Sequence, residues 1–275
     1  MATETEQDTP KVIDWYGNRY SEADRLTASA DGRLELTRTR SLLRRHLPPA
    51  PAVVLDIGGG PGAHAEWLAE DGYRVHLVDP VQLHLDQAVQ RARCTVEVGD
   101  ARKLTAADAS HDVVLLLGPL YHLRDRTDRT AALREARRVA KPGALVAVAA
   151  INRYSSIAEH TASGGLARNG LRDSVASILA TQQYDGARGF TAAYFHTAAD
   201  LTEEMSEAGL IPGAVYGVEG PMWGVVKAVE VRAGEPLADD DPVMVSALRA
   251  AELADPYPDL LAASSHLLAV SRVPG

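Results

Sequence analysis

The residues around Asp56 have the types and spacing of a ligand-binding turn. The apolar run 53–55 leads into Asp56, and Gly58, Gly59 and Gly60 follow after one more residue. Glycine permits the positive φ angles of a tight turn and lets a ligand approach the bare backbone. The spacing also fits the loose fingerprint of dinucleotide-binding proteins, in which this turn meets a pyrophosphate. A carboxylate beside that pyrophosphate would repel it.

The charge of Asp56 therefore separates two classes of ligand. S-adenosylmethionine carries no phosphate and brings an ammonium and a sulfonium group, both of which a carboxylate attracts. Two unit charges about 4 Å apart at an effective dielectric constant of about 20 interact by roughly 4 kcal/mol before desolvation. The sign of this interaction favours S-adenosylmethionine over NAD. A purely structural alternative is that the glycines only make a turn while Asp56 caps the following helix.

Two more acidic residues end the next two apolar runs. Asp79 closes the run 76–78 about 20 residues after the glycines, where a carboxylate accepts both ribose hydroxyls of an adenosine. NAD would use Asp79 equally well, and an acidic helix cap is its structural alternative. Asp100 follows the run 96–98 and is placed to accept the adenine amino group, with the Ala101 amide near a ring nitrogen. Acids at the ends of three consecutive predicted strands predict an adenosine ligand more specifically than any one of them.

The segment 117–123 combines a turn with two reactive side chains. Gly118 and Pro119 fix a turn directly after the fourth predicted strand, and Tyr121 and His122 follow it. An imidazole with an unperturbed pKa of about 6.5 can take a proton from an acceptor hydroxyl or amine. The structural alternative is that His122 caps the next helix or packs inside the protein.

Four segments resemble the successive motifs of class I S-adenosylmethionine-dependent methyltransferases, in the usual order and at about the usual spacing. They are Val54–Gly62, His76–Pro80, Val96–Leu104 and His111–Leu123. The resemblance covers residues 50–150 closely and 197–273 loosely. The segment Gly-Pro-Leu-Tyr-His-Leu at 118–123 is similar to that of small-molecule methyltransferases. It is unlike the Asn/Asp-Pro-Pro-Tyr signature of enzymes that methylate amino groups of nucleic acids.

By position, the resemblance implies a complete site for S-adenosylmethionine, with S-adenosylhomocysteine as the product. Asp56 and the glycines would serve the methionine end, Asp79 the ribose and Asp100 the adenine. Pro80 departs from the bulkier apolar residue often found after the ribose acid, so adenine packing would rely on Val81 or Leu117. The predicted cofactor-binding residues are Asp56, Gly58, Gly59, Gly60, Asp79, Pro80, Asp100, Ala101, Leu117 and Gly118.

The predicted acceptor site is drawn from several separate segments. His122, His196 and Tyr121 are the candidate catalytic residues, because each can exchange a proton with a nucleophile. The predicted substrate-binding residues are Tyr16, Tyr20, Tyr121, Tyr194, Glu219 and Trp223. Packing within the protein explains the aromatic residues equally well. No motif identifies the acceptor itself.

Strands alternate with helices through the middle of the chain, which predicts an α/β fold with a doubly wound sheet. The resemblance implies a Rossmann-like methyltransferase fold with seven mostly parallel strands, the last one antiparallel and inserted beside the sixth. An insertion after the fifth strand interrupts the alternation and is predicted to form a helical lid over the acceptor. The predicted units are a disordered tail at 1–11, an N-terminal helical cap at 12–48, a cofactor domain at 50–151 and 197–275, and the lid at 152–196.

Composition narrows the class of protein. The chain has 275 residues, 46% of them hydrophobic, and a net charge of −9, which disfavours a nucleic-acid partner. The single cysteine, Cys94, excludes an intrachain disulfide and a multi-cysteine metal site. The N-terminal residues are polar, and no apolar run reaches the roughly 20 residues of a membrane span. We therefore expect a cytoplasmic monomer or homodimer with no membrane partner.

These observations predict a methyltransferase acting on a small molecule or short peptide. Oxygen is the first expectation for the acceptor atom, followed by nitrogen and then carbon. The in-line displacement needs no metal, and most of the acceleration comes from holding the two reactants in line. Two other functions remain open from the sequence, an NAD(P)-dependent oxidoreductase and a non-catalytic S-adenosylmethionine-binding protein.

Overall fold

A computed structural model describes residues 4–168, 170–187 and 189–274, with only the backbone described for residues 4–7. Nine strands are present among these residues. They are β1 Val53–Ile57, β2 Arg74–Asp79, β3 Cys94–Val98, β4 His111–Leu116, β5 Ala140–Ile151, β6 Gln183–Tyr184, β7 Ala193–Tyr194, β8 Pro212–Gly217 and β9 His266–Arg272. Strands β6 and β7 form a small hairpin, and the other seven form one sheet.

The helices flank this sheet or precede it in the chain. They are α1 Glu4–Asp14, α2 Arg25–Ala28, α3 Ala30–Arg44, α4 Ala63–Glu70, α5 Gln82–Arg91, α6 Arg126–Val139, α7 Ser155–Ala162, α8 Leu171–Thr181, α9 Ala198–Glu207, α10 Trp223–Ala233 and α11 Pro242–Ala254. A π-helical turn covers Trp15–Arg19, and short 3-10 segments lie at Pro119–His122, Gly165–Ala167 and Pro258–Ala263. In the part of the chain that the structure describes, no helix has the length and apolar character needed to cross a membrane.

The order of strands in the sheet is β3-β2-β1-β4-β5-β9-β8. The first five run parallel, whereas β9 is antiparallel to both of its neighbours, with His266 beside Ile151 of β5. The predicted seven-stranded, mostly parallel sheet is therefore confirmed, including the antiparallel last strand beside the sixth. Because β9 runs backwards, its first residue lies at the same edge of the sheet as the carboxyl ends of the parallel strands.

The central strand β4 shows why this sheet is covered on both faces. Its four residues from Val113 to Leu116 are completely buried, and side chains alternate between the two faces of a strand. Val114 and Leu116 belong to the core formed with Leu133 of α6. Val113 and Leu115 belong to the opposite core, formed with Leu68 of α4. The two cores hold the loops at the carboxyl edge of the sheet in fixed positions.

The N-terminal segment differs from the sequence expectation. Disorder was predicted for residues 1–11, but residues 4–11 belong to α1, and residues 1–3 lie outside the described part. Asp8 of α1 is 2% exposed, and its carboxylate lies 2.5 Å from the Arg124 guanidinium. Val12 packs against Tyr16 and Val81. This ion pair and this apolar contact attach α1 to the rest of the protein, although the composition of the segment alone indicates a disordered tail.

The insertion at 152–196 contains two helices, α7 and α8, followed by the β6–β7 hairpin. The next helix, α9, begins with a capping box, because the Thr197 hydroxyl and the Asp200 carboxylate each accept the backbone amide of the other. The domain boundaries remain predictions.

Candidate functional site

A cavity lies over the carboxyl edge of the sheet, between the loops that follow β1, β2, β3 and β4. All ten predicted cofactor-binding residues line it. The cavity is covered by the N-terminal helices, which contribute Thr9, Val12, Ile13, Tyr16, Glu22, Arg25, Leu26, Glu35 and Thr39. None of the described residues in the range 152–196 lines it. The N-terminal segment, and not the predicted lid, therefore closes this cavity.

The glycine turn after β1 depends on the absence of side chains. Gly58 and Gly60 have φ angles of +67° and +55°, in the region that favours glycine. A Cβ atom on Gly58 would lie 2.5 Å from Cγ of Pro119 in the loop after β4. The Gly58 amide donates to the Val78 carbonyl at 2.6 Å, which ties the turn to the end of β2. Three strand ends are thus brought together around one turn.

Asp56 is buried without a partner. The residue is 1% exposed, and neither carboxylate oxygen has a hydrogen-bond partner among the described residues. Burial, and in second place the charge of Asp79, raises the pKa of Asp56 to about 7. Buried polar groups are almost always paired, so an unpaired carboxylate in a cavity indicates a ligand with a positive charge. The ammonium group of S-adenosylmethionine fits this requirement, and a pyrophosphate does not.

Asp79 is held firmly at the end of β2. One carboxylate oxygen accepts the Gly60 amide at 3.0 Å, and the other accepts the Val81 amide at 2.9 Å. His84 Nδ1 lies 3.1 Å from the second oxygen. The other ring nitrogen of His84 is buried without a partner in the described structure, and His84 lines the cavity. A fixed carboxylate and an unpaired imidazole nitrogen therefore lie next to each other where the ribose is predicted to bind.

Asp100 has a partner that the sequence interpretation did not consider. Its carboxylate pairs with the Arg102 guanidinium at 2.6 Å and accepts the Arg102 amide at 2.8 Å. Asp100 and Arg102 both line the cavity, next to Ala101 and Gly99. The predicted contact between Asp100 and an adenine amino group therefore has to share this carboxylate with Arg102.

Tyr121 and His122 also lie in the cavity wall. Burial lowers the pKa of His122 to about 4, so the ring is neutral near neutral pH. The Tyr16 hydroxyl lies 3.2 Å from Nε2, and the Thr191 hydroxyl lies 3.1 Å from Nδ1. Burial also raises the pKa of Tyr121. The structure brings together three of the predicted acceptor residues, Tyr16, Tyr121 and His122, but both ring nitrogens of His122 are already bonded.

The predicted catalytic residue His196 does not line the cavity. It is completely buried, and its Nε2 lies 3.2 Å from Glu204 of α9. Glu204 forms a buried ion pair with Arg129 of α6 at 2.6 Å. The ring of Tyr194, predicted to bind substrate, lies over this guanidinium at 3.6 Å. These four side chains form a structural cluster, which we call the Glu204 cluster, and which links α6, α9 and the end of the insertion.

Three further predicted substrate residues also lie outside the cavity wall. Tyr20 is 39% exposed and stacks on Trp15. Trp223 is 2% exposed, packs in the core between α3, α10 and α11, and donates from its indole nitrogen to the Ala263 carbonyl at 3.1 Å. Glu219 is 1% exposed and lies behind His266, which does line the cavity. Packing explains the first two, as the sequence alternative allowed.

The cavity wall also contains a charged network that the sequence patterns did not predict. Arg25 donates to Glu35 at 2.7 and 3.0 Å and to Glu22 at 2.6 Å. Ligand atoms of Glu35, Glu219 and His266 lie within 4.8 Å of one another. The Arg25 cation beside Glu35 makes this cluster a poor site for a metal ion, and the prediction that no metal is needed remains a prediction.

The comparisons with known proteins agree with this geometry. Residues 54–143 match the family described as a methyltransferase domain. This part of the chain is therefore similar to the methyltransferases that its sequence motifs resemble. The matched range begins in β1 and ends in β5, so it contains all ten predicted cofactor-binding residues.

Two curated relatives each match part of the chain. A ubiquinone/menaquinone biosynthesis C-methyltransferase of Rubrivivax gelatinosus is 36% identical over 106 residues, which are 38% of this chain and 41% of the relative. A demethylmenaquinone methyltransferase of Corynebacterium urealyticum is 33% identical over 139 residues, 50% of this chain and 57% of the relative. The chain thus spans about half the length of the curated relatives it matches.

Similarity in three dimensions extends over nearly the whole chain. The crystal structure of an S-adenosylmethionine-dependent methyltransferase from Thermotoga maritima has a TM-score of 0.58 and covers 95% of this chain and 98% of its own. The two sequences are 17% identical, so this match shows the fold alone. The structure therefore has the Rossmann-like methyltransferase fold that the family resemblance implied.

Cofactor binding is expected to release a proton from Asp56. The carboxyl has a pKa of about 7 in the free protein, and a nearby ammonium favours its charged form. The affinity for S-adenosylhomocysteine should therefore fall by up to about tenfold per pH unit below pH 7 and level off above it. Calorimetry in two buffers of different ionisation enthalpy measures the proton directly. Asp56→Asn should remove both the proton release and the slope, and an unchanged slope in that variant would show that Asp56 is not the group.

Proposed function

We propose that this chain transfers the methyl group of S-adenosylmethionine to a nucleophilic atom of a small molecule or short peptide. The observation that carries the proposal is the buried, unpaired Asp56 carboxylate in a cavity lined by all ten predicted cofactor-binding residues. The methyltransferase domain match over residues 54–143 supports it independently. NAD would bring phosphates to the same carboxylate, so oxidoreductase activity has no support from the cavity.

The chain itself supplies binding, orientation and the exclusion of water. S-adenosylmethionine supplies an electrophilic methyl group when bound. Asp79 would hold the ribose, and Asp56 the ammonium group, so that the cofactor is fixed at both ends. The N-terminal helices cover the cavity, which keeps water away from a reaction between a cation and a nucleophile. Most of the rate enhancement would come from this positioning.

The acceptor would occupy the part of the cavity on the far side of β4. Asp79 and Asp100 follow β2 and β3, at one side of the sheet, whereas Ala149, Val218 and His266 line the cavity at the other side. The name of the Rubrivivax gelatinosus relative, a C-methyltransferase, keeps carbon among the acceptor atoms, together with oxygen and nitrogen. The net charge of −9 argues against a nucleic-acid acceptor.

Replacing Gly58 by alanine tests this proposal against a matched control. The added Cβ would lie 2.5 Å from Pro119 at a φ of +67°, so the turn under the cofactor has to move. Gly143 has a similar φ of +75° but open space around the added atom, so Gly143→Ala carries comparable backbone strain away from the cavity. We expect Gly58→Ala to lower affinity for S-adenosylhomocysteine by at least about tenfold, or about 1.4 kcal/mol, and Gly143→Ala to leave it unchanged.

The activity itself is measured with methyl-labelled S-adenosylmethionine and a panel of small phenols, enols, amines and short peptides. Wild type and Gly143→Ala should transfer label to at least one acceptor class, and Gly58→Ala should do so at least about tenfold more slowly. Tight cofactor binding with no transfer to any class would favour a non-catalytic binding protein instead.

A further inference from the structure

A carboxylate–histidine pair lies at the end of the cavity away from Asp100. His266 Nδ1 is 2.5 Å from one oxygen of Glu219. The other oxygen of Glu219 accepts the Ser264 hydroxyl at 2.9 Å and the His266 amide at 2.8 Å. Glu219 is 1% exposed, so these bonds are shielded from water. The carboxylate is thereby fixed, and it fixes the plane of the imidazole ring in turn.

The other nitrogen of this ring is available to a ligand. The carboxylates beside the ring raise the pKa of His266 to about 9, so the ring is an imidazolium near neutral pH. Nδ1–H then donates to Glu219, and Nε2–H is left to donate to a ligand. Nε2 of His266 has no hydrogen-bond partner in residues 4–168, 170–187 and 189–274, and the residue lines the cavity. The two histidines that the sequence favoured differ, since His122 has both nitrogens bonded and His196 lies outside the cavity.

The position of His266 in the sheet suits contact with an acceptor. His266 is the first residue of β9, which is three strands away from β1 in the order β1-β4-β5-β9. Strands are spaced by about 4.8 Å, so His266 lies about 14 Å across the sheet from the strand of Asp56. With the cofactor held by the ends of β1, β2 and β3, this distance leaves room for one ring-sized molecule beside the loop after β4.

We propose that His266 is a catalytic residue that holds a phenolic or enolic acceptor as its oxyanion through Nε2–H, and that Glu219 positions it. The inference rests on the proposed methyl transfer. The hydroxyl proton leaves to solvent as the oxyanion pairs with the His266 ring, and the acceptor oxygen, or the ring carbon conjugated with it, forms the new bond to the methyl carbon. The sulfur–methyl bond breaks with its electron pair staying on sulfur. One proton is released to solvent for each methyl group transferred, whether oxygen or carbon is methylated.

The charges around His266 favour the protonated form of its ring. Burial alone would lower the pKa of His266, but the Glu35 and Glu219 carboxylates outweigh burial and raise it to about 9, against an opposing contribution from Arg25. A phenol has an unperturbed pKa of about 10, and a cation in contact with its oxygen stabilises the phenolate and lowers that pKa. Both oxygens of Glu35 are held by Arg25, so Glu35 acts as a fixed charge and not as a base.

A nitrophenol provides a probe that does not depend on turnover, because its phenolate absorbs visible light. The protein is saturated with S-adenosylhomocysteine, and the dye is titrated in at a pH below the pKa of the free dye. The His266 imidazolium stabilises the phenolate form of the dye, so the pKa of the bound dye should fall by at least about one unit in wild type. His266→Asn keeps a donor toward Glu219 but lacks the cavity-facing nitrogen. It should abolish the shift and weaken dye binding by at least about tenfold.

Two further variants separate a chemical role from a structural one. Glu219→Gln should reduce the shift without abolishing dye binding, and His160→Asn, on α7 outside the cavity, should behave as wild type. Calorimetry with S-adenosylhomocysteine on each protein checks folding and the cofactor site. A wild type that binds S-adenosylhomocysteine but shows no dye shift, or a shift retained in His266→Asn, would overturn this proposal alone. A wild type that does not bind S-adenosylhomocysteine would overturn the proposed function and this proposal together.

Discussion

Replacing Asp79 by alanine is expected to weaken the binding of S-adenosylhomocysteine by at least about tenfold. A carboxylate accepting the two ribose hydroxyls makes charge-assisted hydrogen bonds, each worth about 1.5–3 kcal/mol. The structure adds a second reason, because Asp79 also anchors the amides of Gly60 and Val81 at 3.0 and 2.9 Å. Loss of the side chain therefore removes ligand contacts and loosens the glycine turn.

The two contributions to the Asp79 effect can be separated by calorimetry on matched variants. Asp79→Asn keeps an oxygen for one of the anchoring amides but loses the charge, so it should fall between wild type and Asp79→Ala. Asp86 lies on α5 outside the cavity lining, and its carboxylate accepts the Gln82 side-chain amide of the same helix at 2.8 Å, so Asp86→Ala should bind as wild type. Equal affinities of Asp79→Ala and Asp86→Ala would rule out the ribose assignment.

Replacing Glu204 by glutamine is expected to have the largest effect on folding stability. Glu204 is completely buried and receives Arg129 at 2.6 Å and His196 at 3.2 Å. Removing one partner of a buried ion pair leaves an uncompensated charge and typically costs about 3–5 kcal/mol. The Arg129 guanidinium also contacts the Tyr194 ring, so the replacement disturbs the contacts among all four residues of the Glu204 cluster.

The neighbouring residue Glu203 provides the control for the Glu204 cluster. Glu203 is exposed and only 3.4 Å from the exposed Arg126, so Glu203→Gln should change the free energy of unfolding by less than about 1 kcal/mol. The measurement is urea unfolding followed by circular dichroism.

The Arg129 and His196 bonds, acting against burial, lower the pKa of Glu204 to about 2. The stability that this pair contributes is present above the ordinary pKa of a glutamate and is lost as the pH falls toward 2. In Glu204→Gln, the free energy of unfolding should not show this loss at acid pH.

Local patterns in the sequence predicted a set of cofactor-binding residues that the structure brings together in one cavity. Asp56 and Asp79 end apolar runs of strand length, and the glycines between them permit a turn that few other residues can make. The parallel arrangement then follows, because helices of suitable length join the strands. These features depend on residues a few positions apart, and the structure brings all of them to one cavity.

The acceptor side depends on contacts between distant residues, and sequence patterns could not supply them. Glu219 and His266 are 47 residues apart and meet only because β9 runs antiparallel beside β8. His196 followed an aromatic pair at the end of the insertion and was predicted to be catalytic. It is buried because Glu204 and Arg129 arrive from two different helices. No spacing rule distinguishes the histidine that lines the cavity from the one that stabilises the fold.

The claim that this cavity binds S-adenosylmethionine is tested most directly by paired calorimetric titrations of the wild-type protein with S-adenosylhomocysteine and with NAD. We expect S-adenosylhomocysteine to bind at one site per chain, with a proton released below pH 7, and NAD to give no binding heat. Binding of NAD without binding of S-adenosylhomocysteine would contradict the account, because it would mean that the buried Asp56 carboxylate tolerates a pyrophosphate and does not select a cation.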